Sequence, residues 1–256
     1  MELSGVFAIV PTPFAGDGAV DVKSLDRLID YYESVGVTGL TILGQMGEAP
    51  KLEFEESTQI VERVLARTKL PVVVGVSAPG FASMRRLAQV SLAAGASAVM
   101  IAPPNTLRTD DQIVGYYKNA ALELGGAAPI VIQDYPLTFS VVMSVAVIRR
   151  LAAEIPTIVG LKHEDWPGLD KISALRESER TGAMRHLPIL CGNGGLLELA
   201  CAPARTIAFE RQPDGALHAL QAAAHRATTV GRAEFESCAG EEVGFRCGRL
   251  TQSGGA

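Results

Sequence analysis

Aromatic residues are scarce in this chain, 5% of 256 residues with one Trp. Basic charge is in deficit as well: 23 Lys and Arg against 28 Asp and Glu leave a formal net charge of −5. That balance offers no electrostatic footprint for a nucleic-acid backbone, so small molecules are the expected partners. Long apolar runs are missing too. The longest, at 70–78 and 127–132, fall far short of the roughly 20 residues that cross a bilayer, so no membrane association is expected. The N-terminus shows no basic flank leading into an apolar core, and the protein reads as cytoplasmic. Four cysteines (Cys191, Cys201, Cys238, Cys247) form no CxxC pair, and His163, His186, His218 and His225 have no ligand spacing. Reduced thiols, surface histidines, no metal and no cofactor are the expectations.

What the sequence does contain is a repeating alternation. Short runs rich in Val, Ile and Ala fall at 5–10, 39–43, 71–76, 98–102, 129–134, 158–162 and 188–191, with a weak eighth at 206–209. Between them lie amphipathic stretches such as 25–34 and 55–67, whose apolar residues recur three and four apart. Repeated βα units with continuous apolar strands imply a parallel sheet covered on both faces. The fold class is therefore α/β, a (β/α)8 TIM barrel, which needs roughly 200–250 residues. A doubly wound sheet is the alternative, but no GxGxxG follows the first strand. The barrel is expected to occupy 1–235, with a shortened or irregular C-terminal end. After 199 only 217–235 reads as a helix, and 236–256 lacks the apolar residues to pack and reads as a frayed tail.

In such a barrel the reactive side chains stand at the C-terminal ends of the strands. Those ends read Gly44-Gln45-Met46-Gly47-Glu48, Gln133-Asp134-Tyr135-Pro136, Gly160-Leu161-Lys162-His163-Glu164 and Gly192-Asn193-Gly194-Gly195. Lys162 ends an otherwise apolar strand, and alternation puts it on one face with Gly160 and Glu164 while His163 points away. An ammonium facing the barrel interior loses water, which favours the neutral amine able to attack a carbonyl. The structural alternative is a lysine that reaches solvent or simply pairs with Glu164. Gly44 and Gly47 flank a turn whose backbone N–H groups can approach an anion, and Glu48 beside Lys51 reads as a solvated loop pair. Tyr135 shares a face with Gln133 and is the candidate proton relay; its alternative is a ring that caps the barrel mouth. Asp134 is expected to cap the turn before Pro136, and Trp166 to pack in a loop beneath the site.

Taken together, Pro11-Thr12-Pro13-Phe14, Gly44-x-x-Gly47-Glu48, Pro103-Pro104, Pro136 and Gly160-x-Lys162-x-Glu164 resemble, in order and spacing, the dihydrodipicolinate synthase and N-acetylneuraminate lyase family from about residue 3 to 197. The resemblance implies a TIM barrel, usually tetrameric, in which Lys162 forms a Schiff base with pyruvate or another 2-oxo acid without a metal. The protonated imine then serves as electron sink for aldol cleavage, condensation or dehydration. The resemblance makes Lys162 the nucleophile; beside it Tyr135 is the candidate proton relay, the backbone of Gly44, Gln45, Met46 and Gly47 is expected to hold the substrate carboxylate, and Gln133, Glu164 and Asn193 are expected to line the pocket.

The chain departs from the family at several of these places. Gln45 and Met46 stand where family aldolases carry two hydroxyl residues, Gln133 stands where they carry a tyrosine, and Leu137, Thr138 and Phe139 replace a carboxylate-binding arginine. These departures point away from the lysine-pathway condensation and toward branches that dehydrate 2-oxo-3-deoxy sugar acids. Loss of the resemblance after 197 reads as a truncated or frame-shifted version of a longer gene. Lyase or dehydratase, the substrate, and a catalytically degenerate barrel that only binds a 2-oxo acid or a partner all stay open.

Overall fold

The computed structural model describes residues 3–166 and 168–192. Along this stretch run β1 (Phe7–Ile9), α1 (Val22–Ser34), β2 (Gly39–Ile42), α2 (Phe54–Arg67), β3 (Val72–Gly75), α3 (Phe81–Ala93) and β4 (Ala98–Ile101). They are followed by α4 (Asp110–Glu123), β5 (Ile130–Asp134), α5 (Pro136–Phe139), α6 (Val145–Glu154), β6 (Ile158–His163), α7 (Leu169–Arg180) and β7 (Ile189–Cys191). The seven strands pair in parallel, each with its neighbour in sequence. An order without reversal winds round one axis into a nearly closed TIM barrel, whereas a doubly wound sheet reverses at a switch point. Six expected strands appear slightly trimmed, and β6 runs one residue further, to His163. The weak strand at 206–209, the helix at 217–235, the tail from 236, Asn193, Cys201, Cys238, Cys247, His218 and His225 lie outside the described residues. Among the described residues no helix is long and apolar enough to cross a membrane.

Local sequence explains the helices. In α1 the buried residues Leu25, Ile29 and Tyr32 are spaced four and three apart, and Asp21 caps the N-terminus by accepting from the Ser24 N–H at 3.0 Å. In α2 a capping box forms, the Glu53 N–H donating to Glu56 Oε2 at 2.9 Å, and Ile60, Val61 and Val64 face the strands. A cap contributes about 1 kcal/mol, whereas each buried Leu, Ile or Val contributes about 1.5–3 kcal/mol, so the apolar stripe decides where the helix sits.

Both strand faces are buried. Leu40, Val74, Ile101, Ile132 and Leu161 point outward and join the helices in the larger core. Val73, Ala98, Met100 and Val131 point inward and fill the barrel together with Leu3, which closes its N-terminal end. Leu3 fits because Gly160 has no Cβ; one built there would stand 2.4 Å from Leu3 Cδ1.

Two backbone irregularities place the site. First, Ile130 pairs with Ile158 but Val131 pairs with Gly160, so β6 carries one extra residue, Val159, as a β-bulge. Ile158 and Leu161 therefore both face the helices, although three residues apart, while Val159 packs with the inner cluster and Gly160 and Lys162 line the inner face with it. Second, Leu43 adopts φ +53°, a left-handed conformation that turns the chain sharply out of β2. Its carbonyl is aimed at Gly75, where a Cβ would lie 2.0 Å from the Leu43 oxygen. Gly75→Ala is accordingly expected to cost at least about 1–3 kcal/mol, the range for overpacked sites. A fall in the urea midpoint at unchanged m-value would register it, and an unchanged midpoint would contradict the close approach.

Candidate active site

β5 and β6 end side by side, with Gln133 paired to Lys162 and Asp134 to His163. On the inner face, Lys162 Nζ lies 3.1 Å from Glu164 Oε1, and Gln133 Nε2 donates to Glu164 Oε2 at 2.8 Å. The Lys162 and Glu164 side chains keep only 7% and 10% of their exposure. The expected grouping of Gln133, Lys162 and Glu164 is therefore present, and Lys162 does pair with Glu164, at the barrel interior and away from solvent. Glu164 lies past the end of β6, yet its N–H donates to the Asp134 carbonyl at 2.8 Å, which extends the ladder far enough to keep it on the inner face. The layer beneath is the apolar set of Met100 and Val131, so among the described residues the lysine stands on an apolar floor.

Gly192 follows β7 and donates its N–H to the His163 carbonyl at 2.9 Å. A Cβ at this position would stand 2.3 Å from Glu164 Cγ. Glycine here gives the Glu164 side chain its space.

The turn after β2 lies at the same end of the barrel. Gly44 and Gly47 are buried and Gln45 is half-buried, whereas Met46 is 62% exposed, so its side chain faces solvent at the rim. Thr12 Oγ1 donates to the Gly47 carbonyl at 2.6 Å and pins the turn to the segment after β1. Glu48 forms the solvated pair with Lys51, at 2.5 Å.

On the other face of β5 and β6 the structure corrects several expectations. Asp134 does not cap the next turn. It is completely buried, and its Oδ2 meets His163 Nδ1 at 3.1 Å and Lys171 Nζ at 2.9 Å, while Oδ1 has no hydrogen-bond partner among the described residues. His163 is not a surface histidine; it is 1% exposed, and its Nε2 lies 3.1 Å from the Gly168 carbonyl. His186 does lie at the surface. Lys171 also pairs with Asp165 at 2.6 Å. Burial alone would push the Asp165 carboxyl up, but the Lys171 hydrogen bond and charge outweigh it and hold that carboxyl below its ordinary range. Trp166 is 59% exposed rather than packed beneath the site.

Tyr135 also differs in placement. β5 ends at Asp134, because Pro136 has no N–H to continue the ladder and instead opens the short helix α5. Tyr135 becomes the N-cap of that helix, half-buried, its ring edge-on to Phe139 at 6.3 Å. The alternation that would carry it beside Gln133 stops one residue short. Among the described residues no group of three His, Cys, Asp or Glu side chains converges as a metal site.

Comparison with known proteins agrees with this geometry. A family model, the dihydrodipicolinate synthetase family, matches residues 2–196. A 4-hydroxy-tetrahydrodipicolinate synthase of Anaplasma marginale (strain Florida) is 33% identical over 178 residues, covering 69% of this chain and 58% of that protein. One from Sorangium cellulosum (strain So ce56) is 33% identical over 165 residues, covering 63% of this chain and 54% of that protein. The chain thus spans little more than half the length of these relatives. The crystal structure of a dihydrodipicolinate synthase from Rhodopseudomonas palustris superposes with a TM-score of 0.78 at 46% identity, over 92% of this chain and 78% of that one. With its parallel barrel, its lysine at the inner end of β6 and the family match over three quarters of its length, the chain belongs to the dihydrodipicolinate synthetase family.

Proposed function

We propose that this protein is a lyase that acts on a 2-oxo acid through a Schiff base on Lys162. One observation carries the reading: a lysine with 7% side-chain exposure, at the C-terminal end of a barrel strand, with a carboxylate oxygen 3.1 Å from its Nζ. The amine, once its proton has passed to the neighbouring carboxylate, is placed to attack a carbonyl carbon. The resulting protonated imine draws electrons from the neighbouring carbon, so the same centre serves aldol cleavage, condensation or loss of water.

In this reading the buried turn of Gly44 and Gly47 receives the substrate carboxylate through backbone N–H groups, with Gln45 at its edge, and Gln133 and Glu164 line the reacting end. Met46, exposed at the rim, meets only a substrate long enough to reach it. Tyr135 stands at the rim as well, against Phe139. Relatives that the chain resembles are named 4-hydroxy-tetrahydrodipicolinate synthase. Gln133 at the reacting end favours a second member of the same reaction class, dehydration of a 2-oxo-3-deoxy sugar acid.

The test is to incubate the protein with pyruvate, and separately with a 2-oxo-3-deoxy sugar acid, reduce with sodium borohydride, and map the added mass. A stable adduct on the peptide containing Lys162 is expected. Folded protein that gains no mass with either compound would remove the Schiff-base reading.

A further inference from the structure

We infer that Glu164 is the catalytic residue that moves protons at Lys162, held there by Gln133 and given its room by Gly192. The inference rests on the Schiff-base reading above.

Three contacts lead to it. Glu164 Oε1 is 3.1 Å from Nζ, so the acceptor for the proton that the ammonium must shed is already in place. Glu164 Oε2 accepts from the Gln133 amide at 2.8 Å, which leaves Oε1 as the oxygen turned toward the lysine. The Gln133 amide does not titrate; its N–H fixes the orientation of the carboxylate. Gly192 completes the arrangement, since any Cβ there would occupy the path of Glu164 Cγ.

The proton balance closes with this one carboxylate. Glu164 takes a proton from the ammonium, and the neutral amine forms the N–C2 bond as the carbonyl electron pair moves to oxygen. Glu164 gives its proton to that oxygen, takes a second from the now cationic nitrogen, and delivers it to the hydroxyl. The C2–O bond breaks, water leaves, and the nitrogen lone pair forms the protonated imine. Glu164 is again a carboxylate. It then takes a proton from C3, whose bonding pair becomes the C2–C3 double bond of the enamine while the imine pair returns to nitrogen. C3 is two bonds from Nζ, within the sweep of the same carboxylate.

The experiment follows exchange of the pyruvate C3 protons with D2O by NMR, beside borohydride trapping, in wild type and in Glu164→Gln, Glu164→Asp, Gly192→Ala and Tyr135→Phe proteins whose folding is checked by circular dichroism. Removing a positioned general base slows proton transfer by about 10²–10⁴-fold. Glu164→Gln is expected to lose exchange to that extent, while Glu164→Asp restores part of it. Gly192→Ala, which keeps the carboxylate and displaces it, is expected to slow exchange in the same direction. Wild-type protein that traps pyruvate, with Glu164→Gln or Gly192→Ala exchanging at the wild-type rate, would overturn the role of Glu164 and leave the Schiff base standing. Loss of exchange in Tyr135→Phe with none in Glu164→Gln would assign the proton to Tyr135 instead. Wild-type protein that traps neither 2-oxo acid would overturn both readings. If Glu164→Gln does not fold, the Gly192→Ala and Glu164→Asp proteins decide alone.

Discussion

Lys162→Ala is expected to lower turnover of the 2-oxo acid by about 10⁴-fold or more, which at 1.36 kcal/mol per decade is about 5.4 kcal/mol of lost transition-state stabilisation. The size of the effect follows from the chemistry, because nothing remains at that place to bond the carbonyl carbon. Alanine also leaves Glu164 buried without its ammonium. Some of the loss would then come from a disturbed pocket, and Lys162→Arg separates the two causes. Arginine keeps a cation beside Glu164 but does not give up its proton, so it cannot form the imine. Both variants should fold, fail to take up mass on borohydride reduction and fail to turn over. A hundredth of wild-type activity in either protein would exclude the covalent route.

The second large effect is on stability. Asp134→Ala is expected to destabilise the fold by about 3–5 kcal/mol, the range for removing one partner of a buried ion pair. Asp134 has no exposure, and both His163 and Lys171 direct nitrogens to its Oδ2. Without the carboxylate, Lys171 keeps Asp165, but His163 Nδ1 is left in an apolar layer beneath the helices. The charges were costly to bury in the first place, so replacing the two paired groups together should be milder than removing one. Asp134→Leu combined with His163→Leu is therefore expected to lose less than Asp134→Ala alone. Urea midpoints of the variants would check this, and a double variant weaker than Asp134→Ala would show that the network contributes net stability.

The inner half of the site was legible in the sequence because it obeys a rule of period two. Gln133 is next to last in one apolar strand, Lys162 is next to last in the following one, and Glu164 continues the face, so alternation sufficed to group them. The outer half was not legible because its members sit on three elements, β5, β6 and α7, and each alone looks like an ordinary surface residue. A usable signal did exist. Asp134 and His163 fall on the strand face whose other members are Ile132 and Leu161, and a charge on a face covered by helices needs a buried partner. Tyr135 was misplaced for the opposite reason, since alternation was carried one residue past a strand that Pro136 had already ended. Asn193 and everything after it lie outside the described residues.

The extra residue in β6 bears on how this strand can be rebuilt. A mutational library that swaps inward positions by counting every second residue from Ile158 would treat Lys162 as part of the helix-facing set and leave Gly160 out of the pocket set. Val159 shifts the frame, so the strand has to be addressed in two frames, one ending at Ile158 and the other beginning at Gly160. A graft of the lysine centre into another barrel therefore has to align its host from the Gln133–Lys162 pair and count backward. Counting forward from where the strand begins would deliver the same residues, in the same order, with the amine in the wall.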